Sequence, residues 1–231
     1  MSDLPPRIKF CGITNMEDAH HAADNGAWAI GLIFHPLSPR RCALDDAAEI
    51  ADVFRRRLEV FGVFVNVPLE KVAETADVVK LTGIQLHGDE GPAYCVEAGR
   101  RTGCKVMKAV QVRSRADVQG LRAFAVDFQM LDSGAGNVRG GSGKTFDWAL
   151  AAGRRRRGTP LVLSGGLNPE NVAEGIEVVK PWAVDVASGV EAEPGRKSPE
   201  KLAAFAAVVR GTAAEPRPAP PASADAQESV A

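Results

Sequence analysis

The chain has 231 residues, with 28 Lys and Arg against 29 Asp and Glu, a formal net charge of −1 that argues against a general nucleic-acid or acidic-membrane partner. That length suits one domain of about 200 to 250 residues or two small ones, and 45% apolar with 25% charged residues is ordinary for a soluble globular protein. No apolar run reaches the ~18 residues of a membrane span, the start Met1-Ser2-Asp3-Leu4-Pro5-Pro6 lacks a signal-peptide pattern, and Cys11, Cys42, Cys95 and Cys104 show no CxxC spacing, so the expectation is a cytoplasmic protein without a metal site or disulfides.

Ile8-Lys9-Phe10-Cys11-Gly12-Ile13-Thr14 begins as a short β-rich run and stops at Gly12. Thr14 followed by Glu17 is a capping-box pattern and predicts a helix over 16–25. A thiol thus stands at the end of a strand, the edge where alternating β/α folds do chemistry. Taken alone, Cys11 reads first as a small buried hydrophobe, as most free cysteines are. Ala29-Ile30-Gly31-Leu32-Ile33-Phe34 does not alternate and predicts a strand covered on both faces. A Pro-rich loop over 35–41 follows, then Ala47, Ile50, Ala51 and Phe54 at helical spacing. Further on, strands are predicted over 60–65, 83–86, 105–110 and 126–131, the last running into Asp132. Helices are predicted over 69–75, 92–101 (opened by Pro92) and 115–124.

A glycine-rich loop over 133–144 leads to a predicted helix over 147–156. Its end, Arg154-Arg155-Arg156-Arg157, reads as a solvated terminus complementing the helix dipole rather than a nucleic-acid handle. Leu161-Val162-Leu163 is strand seven, Asn168-Pro169 caps and starts the next helix, and Ala183-Val184-Asp185-Val186 is strand eight. Ser198-Pro199 opens a last helix with the stripe Leu202, Phe205, Ala206 and Val209. Residues 211–231 are Ala-, Pro- and Ser-rich without apolar periodicity and read as a short disordered tail. Eight successive strand–helix units over 1–210 predict a single (β/α)8 TIM barrel. The competing doubly wound sheet usually carries a Gly-rich dinucleotide turn after its first strand, and Cys11-Gly12-Ile13-Thr14 is not one.

In such a barrel, polar residues at strand C-termini converge on one rim. The candidates are Cys11, Arg40, Gln85, His87, Lys108, Asp132, Ser164 and Asp185. After strands seven and eight come Ser164-Gly165-Gly166-Leu167 and Ala187-Ser188-Gly189-Val190, where glycines let backbone N–H groups approach a phosphate. Gly141-Ser142-Gly143-Lys144-Thr145 suggests a P-loop, but that motif needs a glycine where Val138 stands. The segment reads instead as a rim loop that closes over a ligand.

Lys9-Phe10-Cys11-Gly12-Ile13-Thr14, Gln85-Leu86-His87-Gly88, Leu131-Asp132, residues 140–148, residues 163–172 and Asp185-Val186-Ala187-Ser188-Gly189-Val190-Glu191 together resemble the signature stretches of phosphoribosylanthranilate isomerases, in order from about Arg7 to Val209. The resemblance implies an Amadori rearrangement of N-(5-phosphoribosyl)anthranilate in tryptophan biosynthesis, with a small phosphosugar-anthranilate substrate and no metal or organic cofactor. It implies Cys11 as general base, Asp132 as general acid and Arg40 as grip on the anthranilate carboxylate. Gln85, His87 and Asp185 would face the substrate, and Gly165, Gly166, Ser188 and Gly189 its phosphate. The chemistry asks for a stabilised Cys11 thiolate and a protonated Asp132. Ala187 stands where the family often has serine, so one hydroxyl contact to phosphate would be missing. Two rivals are the sister isomerase of histidine synthesis or a dual-substrate version of it, that sister chemistry being usually run by an aspartate where Cys11 stands, and a barrel that only binds a phosphosugar or a partner protein. The assembly is expected to be a monomer or a homodimer.

Overall fold

The computed structural model describes residues 4–133, 145–152 and 158–212. Eight strands, β1 (Arg7–Cys11), β2 (Ala29–Ile33), β3 (Glu59–Phe64), β4 (Gly83–Leu86), β5 (Lys105–Val112), β6 (Phe128–Ser133), β7 (Leu161–Leu163) and β8 (Ala183–Val186), pair in parallel in sequence order. β8 pairs back to β1, with Lys9 beside Asp185, and the ring closes as a TIM barrel. Around it lie α1 (Met16–Asp24), α2 (Leu44–Phe54), α3 (Leu69–Val79), α4 (Pro92–Thr102), α5 (Arg115–Gly120), α6 (Val172–Val179) and α7 (Pro199–Gly211). Among the described residues no helix is long and apolar enough to cross a membrane.

Side chains alternate along each strand. Ile8 and Phe10 therefore face the helices, where the Phe10 ring meets Phe205 of α7 at 6.1 Å. Lys9 and Cys11 face the barrel interior instead. At the N-terminal end of the barrel the interior is plugged by aromatic rings: Trp28 lies 4.8 Å from Trp182 and 5.0 Å from Phe128, edge to face. Such contacts stabilise by about 1 kcal/mol each beyond burial. They seal the lower end and leave the strand C-termini to carry polar groups.

Several element boundaries differ from the sequence expectation, each for a local reason. Asn15, not Thr14, caps α1: its side chain accepts the Asp18 N–H at 2.9 Å, while the Thr14 hydroxyl donates to Gly195 O at 2.7 Å. α3 runs on to Val79 because Val72, Ala76 and Val79 continue its buried stripe; Lys80, in the left-handed region, ends it. Asn168 caps a turn rather than a helix, accepting the Glu170 and Asn171 N–H groups at 3.0 Å, so α6 starts at Val172. After β6, residues 148–150 form a 3-10 turn capped by Asp147 where a longer helix was predicted. The four-arginine run, the glycine-rich loop from residue 134 to 144 and the tail from residue 213 lie outside the described residues. A feature absent from the sequence expectation is a small hairpin of β9 (Glu191–Glu193) and β10 (Arg196–Lys197) between β8 and α7.

A cleft of about 450 Å³ opens at the opposite end from the strand C-termini, lined in part by Arg55, Arg56, Lys80 and Arg101. Arg55 pairs with Asp52, Lys80 with Asp77 and Arg101 with Glu97. These cations stand where α2, α3 and α4 end, offsetting the negative ends of the helix dipoles.

Candidate active site

Cys11 ends β1 at the mouth and is 5% exposed. Two residues below it, Lys9 is fully buried and its Nζ donates to Asp185 Oδ1 at 2.7 Å. Ser164 Oγ, just after β7, donates to the other Asp185 oxygen at 2.9 Å. The Lys9 ammonium and the Cys11 sulfur lie side by side against β2. Gly31 on β2 makes this possible, because a Cβ there would stand 2.7 Å from Cys11 Sγ and 3.0 Å from Lys9 Nζ. Burial alone would lower the Lys9 ammonium, but Asp185 and Cys11 outweigh it and raise it above its ordinary value. Burial pushes the Cys11 thiol up and Asp185 adds to the rise, while Lys9 and Lys197 pull down without overcoming it. The thiol thus sits above its ordinary value, opposite to the stabilised thiolate expected from sequence.

The β9–β10 hairpin inserts two charged groups beneath the end of β1. Lys197 Nζ spends its three N–H bonds on Cys11 O (2.7 Å), Ala187 O (3.0 Å) and Glu191 Oε1 (3.1 Å). Arg40, from the loop after β2, pairs with Glu191 through Nε and Nη2, both at 2.8 Å. Gly12, with φ of +74°, lets the chain turn where a Cβ would lie 2.9 Å from Arg40 Cδ. Burial would raise the Glu191 carboxyl, yet Arg40 and Lys197 outweigh it and hold it below its usual range. Burial depresses the Lys197 ammonium despite Glu191.

From the other side of the mouth comes Asp132 on β6, 2% exposed. Its Oδ2 is 2.9 Å from His87 Nε2, and its Oδ1 accepts the Ser133 N–H at 2.9 Å. His87 Nδ1 in turn lies 3.0 Å from Gln85 Nε2. If that amide nitrogen donates, the histidine carries its proton on Nε2, toward Asp132. Gln85 Oε1 is buried with no hydrogen-bond partner among the described residues.

Lys108 does not join the rim. Even-numbered residues of β5 face the helices, and Lys108 Nζ donates to Gly88 O at 2.7 Å and to Glu90 Oε2 at 2.8 Å. Glu90 also accepts the Asn66 and Gly88 N–H groups, both at 2.8 Å, so this buried pair pins the loops after β3 and β4 from outside.

The two glycine loops lie against each other. Gly165 and Gly166 have φ of +89° and +67°, and a Cβ on Gly165 would stand 2.2 Å from Ser133 N. Ser188 and Gly189 open a 3-10 turn, residues 188–190. A Cβ on Gly189 would lie 1.9 Å from Leu167 O. Backbone is thus packed on backbone, which side chains would prevent.

The structure brings Cys11, Asp185 and Ser164 into one cluster and Asp132, His87 and Gln85 into another, with Arg40 joined to the first through Glu191 and Lys197. Lys9, Gly31, Glu191 and Lys197 were missed in the sequence. Lys9 was signalled by strand alternation two residues before Cys11, and Gly31 by being a glycine inside a strand. Lys197 and Glu191 carried no signal for the site, since the contacts that tie them to it, Cys11 O and Arg40, come from the far end of the chain.

A family model described as N-(5'phosphoribosyl)anthranilate (PRA) isomerase matches residues 8–208. The N-(5'-phosphoribosyl)anthranilate isomerase of Syntrophus aciditrophicus is 46% identical over 204 residues, 88% of this chain and 86% of that one. That of Geobacter sulfurreducens is 42% identical over 205 residues, 89% of this chain and 98% of that one. The crystal structure of phosphoribosyl anthranilate isomerase from Thermotoga maritima superposes with a TM-score of 0.81 at 42% identity, covering 89% of this chain and 99% of that one. Another isomerase structure, in complex with reduced 1-(o-carboxyphenylamino)-1-deoxyribulose 5-phosphate, gives 0.78 at 40% identity, covering 89% and 99%. With the barrel closed, the thiol and the carboxyl at its C-terminal mouth and this match over nearly all the described residues, the chain belongs to the N-(5'-phosphoribosyl)anthranilate isomerase family.

Proposed function

We propose that Cys11 and Asp132 carry the family's isomerisation, the Amadori rearrangement of N-(5-phosphoribosyl)anthranilate to 1-(2-carboxyphenylamino)-1-deoxyribulose 5-phosphate in tryptophan biosynthesis. The supporting observation is that both residues end interior-facing rows at the same end of the barrel, separated only by β7 and β8. Asp132, backed by His87, gives a proton to the ribose ring oxygen as the C1–O bond opens to an iminium. Cys11 as thiolate then takes the C2 proton, the C–H pair forms the C1–C2 double bond of an enolamine, and tautomerisation yields the ketone. One acid and one base on different sides of the sugar suit this exchange.

Gln85, 1% exposed, works on the substrate through His87, orienting the ring that meets Asp132. The Asp185 carboxylate, below Cys11, favours the positive charge of the iminium. The paired loops of Gly165–Gly166 and Ser188–Gly189 receive the phosphate on backbone N–H groups, the usual place for it in this fold. Ala187 offers no hydroxyl there, and its carbonyl is taken by Lys197. Arg40 presents the guanidinium edge not used by Glu191 to the anthranilate carboxylate, a task suited to a forked cation. Loss of anthranilate-type fluorescence change on substrate turnover tests the reading. Cys11→Ala and Asp132→Ala should each lower kcat at least ~100-fold, and folded variants with near-normal turnover would refute the assignment.

A further inference from the structure

Neither of the two proton-transferring roles uses Lys9, although it is the most deeply buried charge at the site. A lysine inside a barrel is costly to hold unless its charge is matched. Asp185 matches it at 2.7 Å, and the same ammonium shares with the Cys11 sulfur the space that a side chain at Gly31 would fill, 3.0 and 2.7 Å from a Cβ there. The cations of the buried cluster are Lys9, Lys197 and Arg40; its carboxylates are Asp185 and Glu191. Asp18, the remaining carboxylate nearby, accepts the Lys197 backbone N–H at 3.0 Å and the Asn15 amide at 2.9 Å, in the first turn of α1 where the helix dipole favours it. With Cys11 as a thiol, three cations thus face two paired anions. Loss of the thiol proton balances the cluster.

We infer that Lys9 is a positioning residue for the reaction: held in place by Asp185, its ammonium is the counter-charge on which Cys11 becomes a thiolate. This rests on Cys11 being the base. When Sγ takes the C2 proton, the C–H bond breaks, its pair enters the new C1–C2 bond and the iminium π pair becomes the nitrogen lone pair. Lys9 keeps its own proton and remains on Asp185 throughout. The two members of the Lys9–Asp185 pair act on the sulfur with opposite signs, since the ammonium favours the thiolate and the carboxylate opposes it.

The test compares the wild type with Lys9→Met and Asp185→Asn. It follows the pH dependence of kcat/KM and of Cys11 alkylation by iodoacetamide, the latter read on the Cys11 peptide by mass spectrometry. Lys9→Met should move both ascending limbs to higher pH, slowing Cys11 alkylation at pH 8 at least about tenfold, one pKa unit's worth. Asp185→Asn should move the alkylation limb the other way. An alkylation profile superimposable on wild type in folded Lys9→Met overturns the inference, and if that variant does not fold, an unmoved or upward-moved profile in Asp185→Asn overturns it equally. Failure of the base assignment itself would show elsewhere, as retained turnover in Cys11→Ala.

Discussion

Arg40 and Glu191, 151 residues apart in sequence, are joined by two parallel hydrogen bonds of 2.8 Å each. The pair is poorly exposed, 12% and 5% at the side chains, and Glu191 also receives Lys197. The residue assigned to the substrate carboxylate is therefore held rigid before any substrate arrives, which lowers the ordering cost of binding.

Replacing Glu191 by Gln should loosen Arg40 and leave two cations without their counter-charge. KM for the phosphoribosylanthranilate substrate is expected to rise about tenfold, because Arg40 loses the partner that holds it in position. Stability should fall by roughly 3 kcal/mol, as when one partner of a buried ion pair is removed. The folded-state pKa of Glu191 is depressed, so its contribution is complete above the unfolded value of about 4.3 and disappears as pH falls through the lower folded value. Wild type and Glu191→Gln should consequently differ in thermal midpoint at pH 7 and converge in acid. Equal separation at pH 7 and at pH 3 would contradict this account.

The pH profile of the wild type follows from burial of the thiol. Since burial holds Cys11 above its ordinary value and the base must be deprotonated, kcat/KM should still be climbing at pH 8.5, near the usual thiol value of about 8.5. Steady-state measurements between pH 6 and 10 decide it. A plateau already reached at pH 7 would mean that the thiolate forms far more easily than the burial allows.

Gly31→Ala adds a methyl group 2.7 Å from Cys11 Sγ and 3.0 Å from Lys9 Nζ. The β2 backbone tolerates alanine, so circular dichroism should show an intact fold. Turnover should nevertheless drop by about 100-fold, the cost of a reacting group displaced by about 1 Å. Wild-type kcat in this variant would show that the sulfur has more freedom than the packing implies.

Gly189→Ala meets a harder obstacle, the Leu167 carbonyl oxygen at 1.9 Å from the new Cβ. Backbone has to move, and the loops after β7 and β8 separate. The expected cost is about 2 kcal/mol of stability, with KM for the phosphorylated substrate raised more than tenfold while inhibition by a phosphate-free anthranilate analogue is unchanged. Parallel loss of both affinities would mean that the two loops do not act on the phosphate separately.

Strand alternation and turn chemistry are local properties, and the eight-strand count and the position of Cys11, His87, Asp132 and Asp185 at one end of the barrel followed from them, while strand ends shifted by one or two residues, as where β6 runs through Asp132 to Ser133. Helix starts were less secure. Thr14 and Asn168 each carry a good capping side chain, but Gly195 claims the first and a turn of its own claims the second. Lys108 shows how a one-residue parity decides a role: in β5 it stands next to interior-facing Met107 and Ala109, and therefore points at Glu90 among the helices.

By itself the sequence determined the barrel, its chain order and the residue types at the mouth, because hydrophobic period and loop glycines act over a few neighbouring positions. Only the tertiary structure decided the electrostatics of the thiol. That depends on Lys9 turning inward beside Asp185, on the missing side chain at Gly31, and on a hairpin near the C-terminal end carrying Lys197 and Glu191 to the end of the first strand. Such juxtapositions arise when the ring closes β8 onto β1, and no short stretch of chain encodes them.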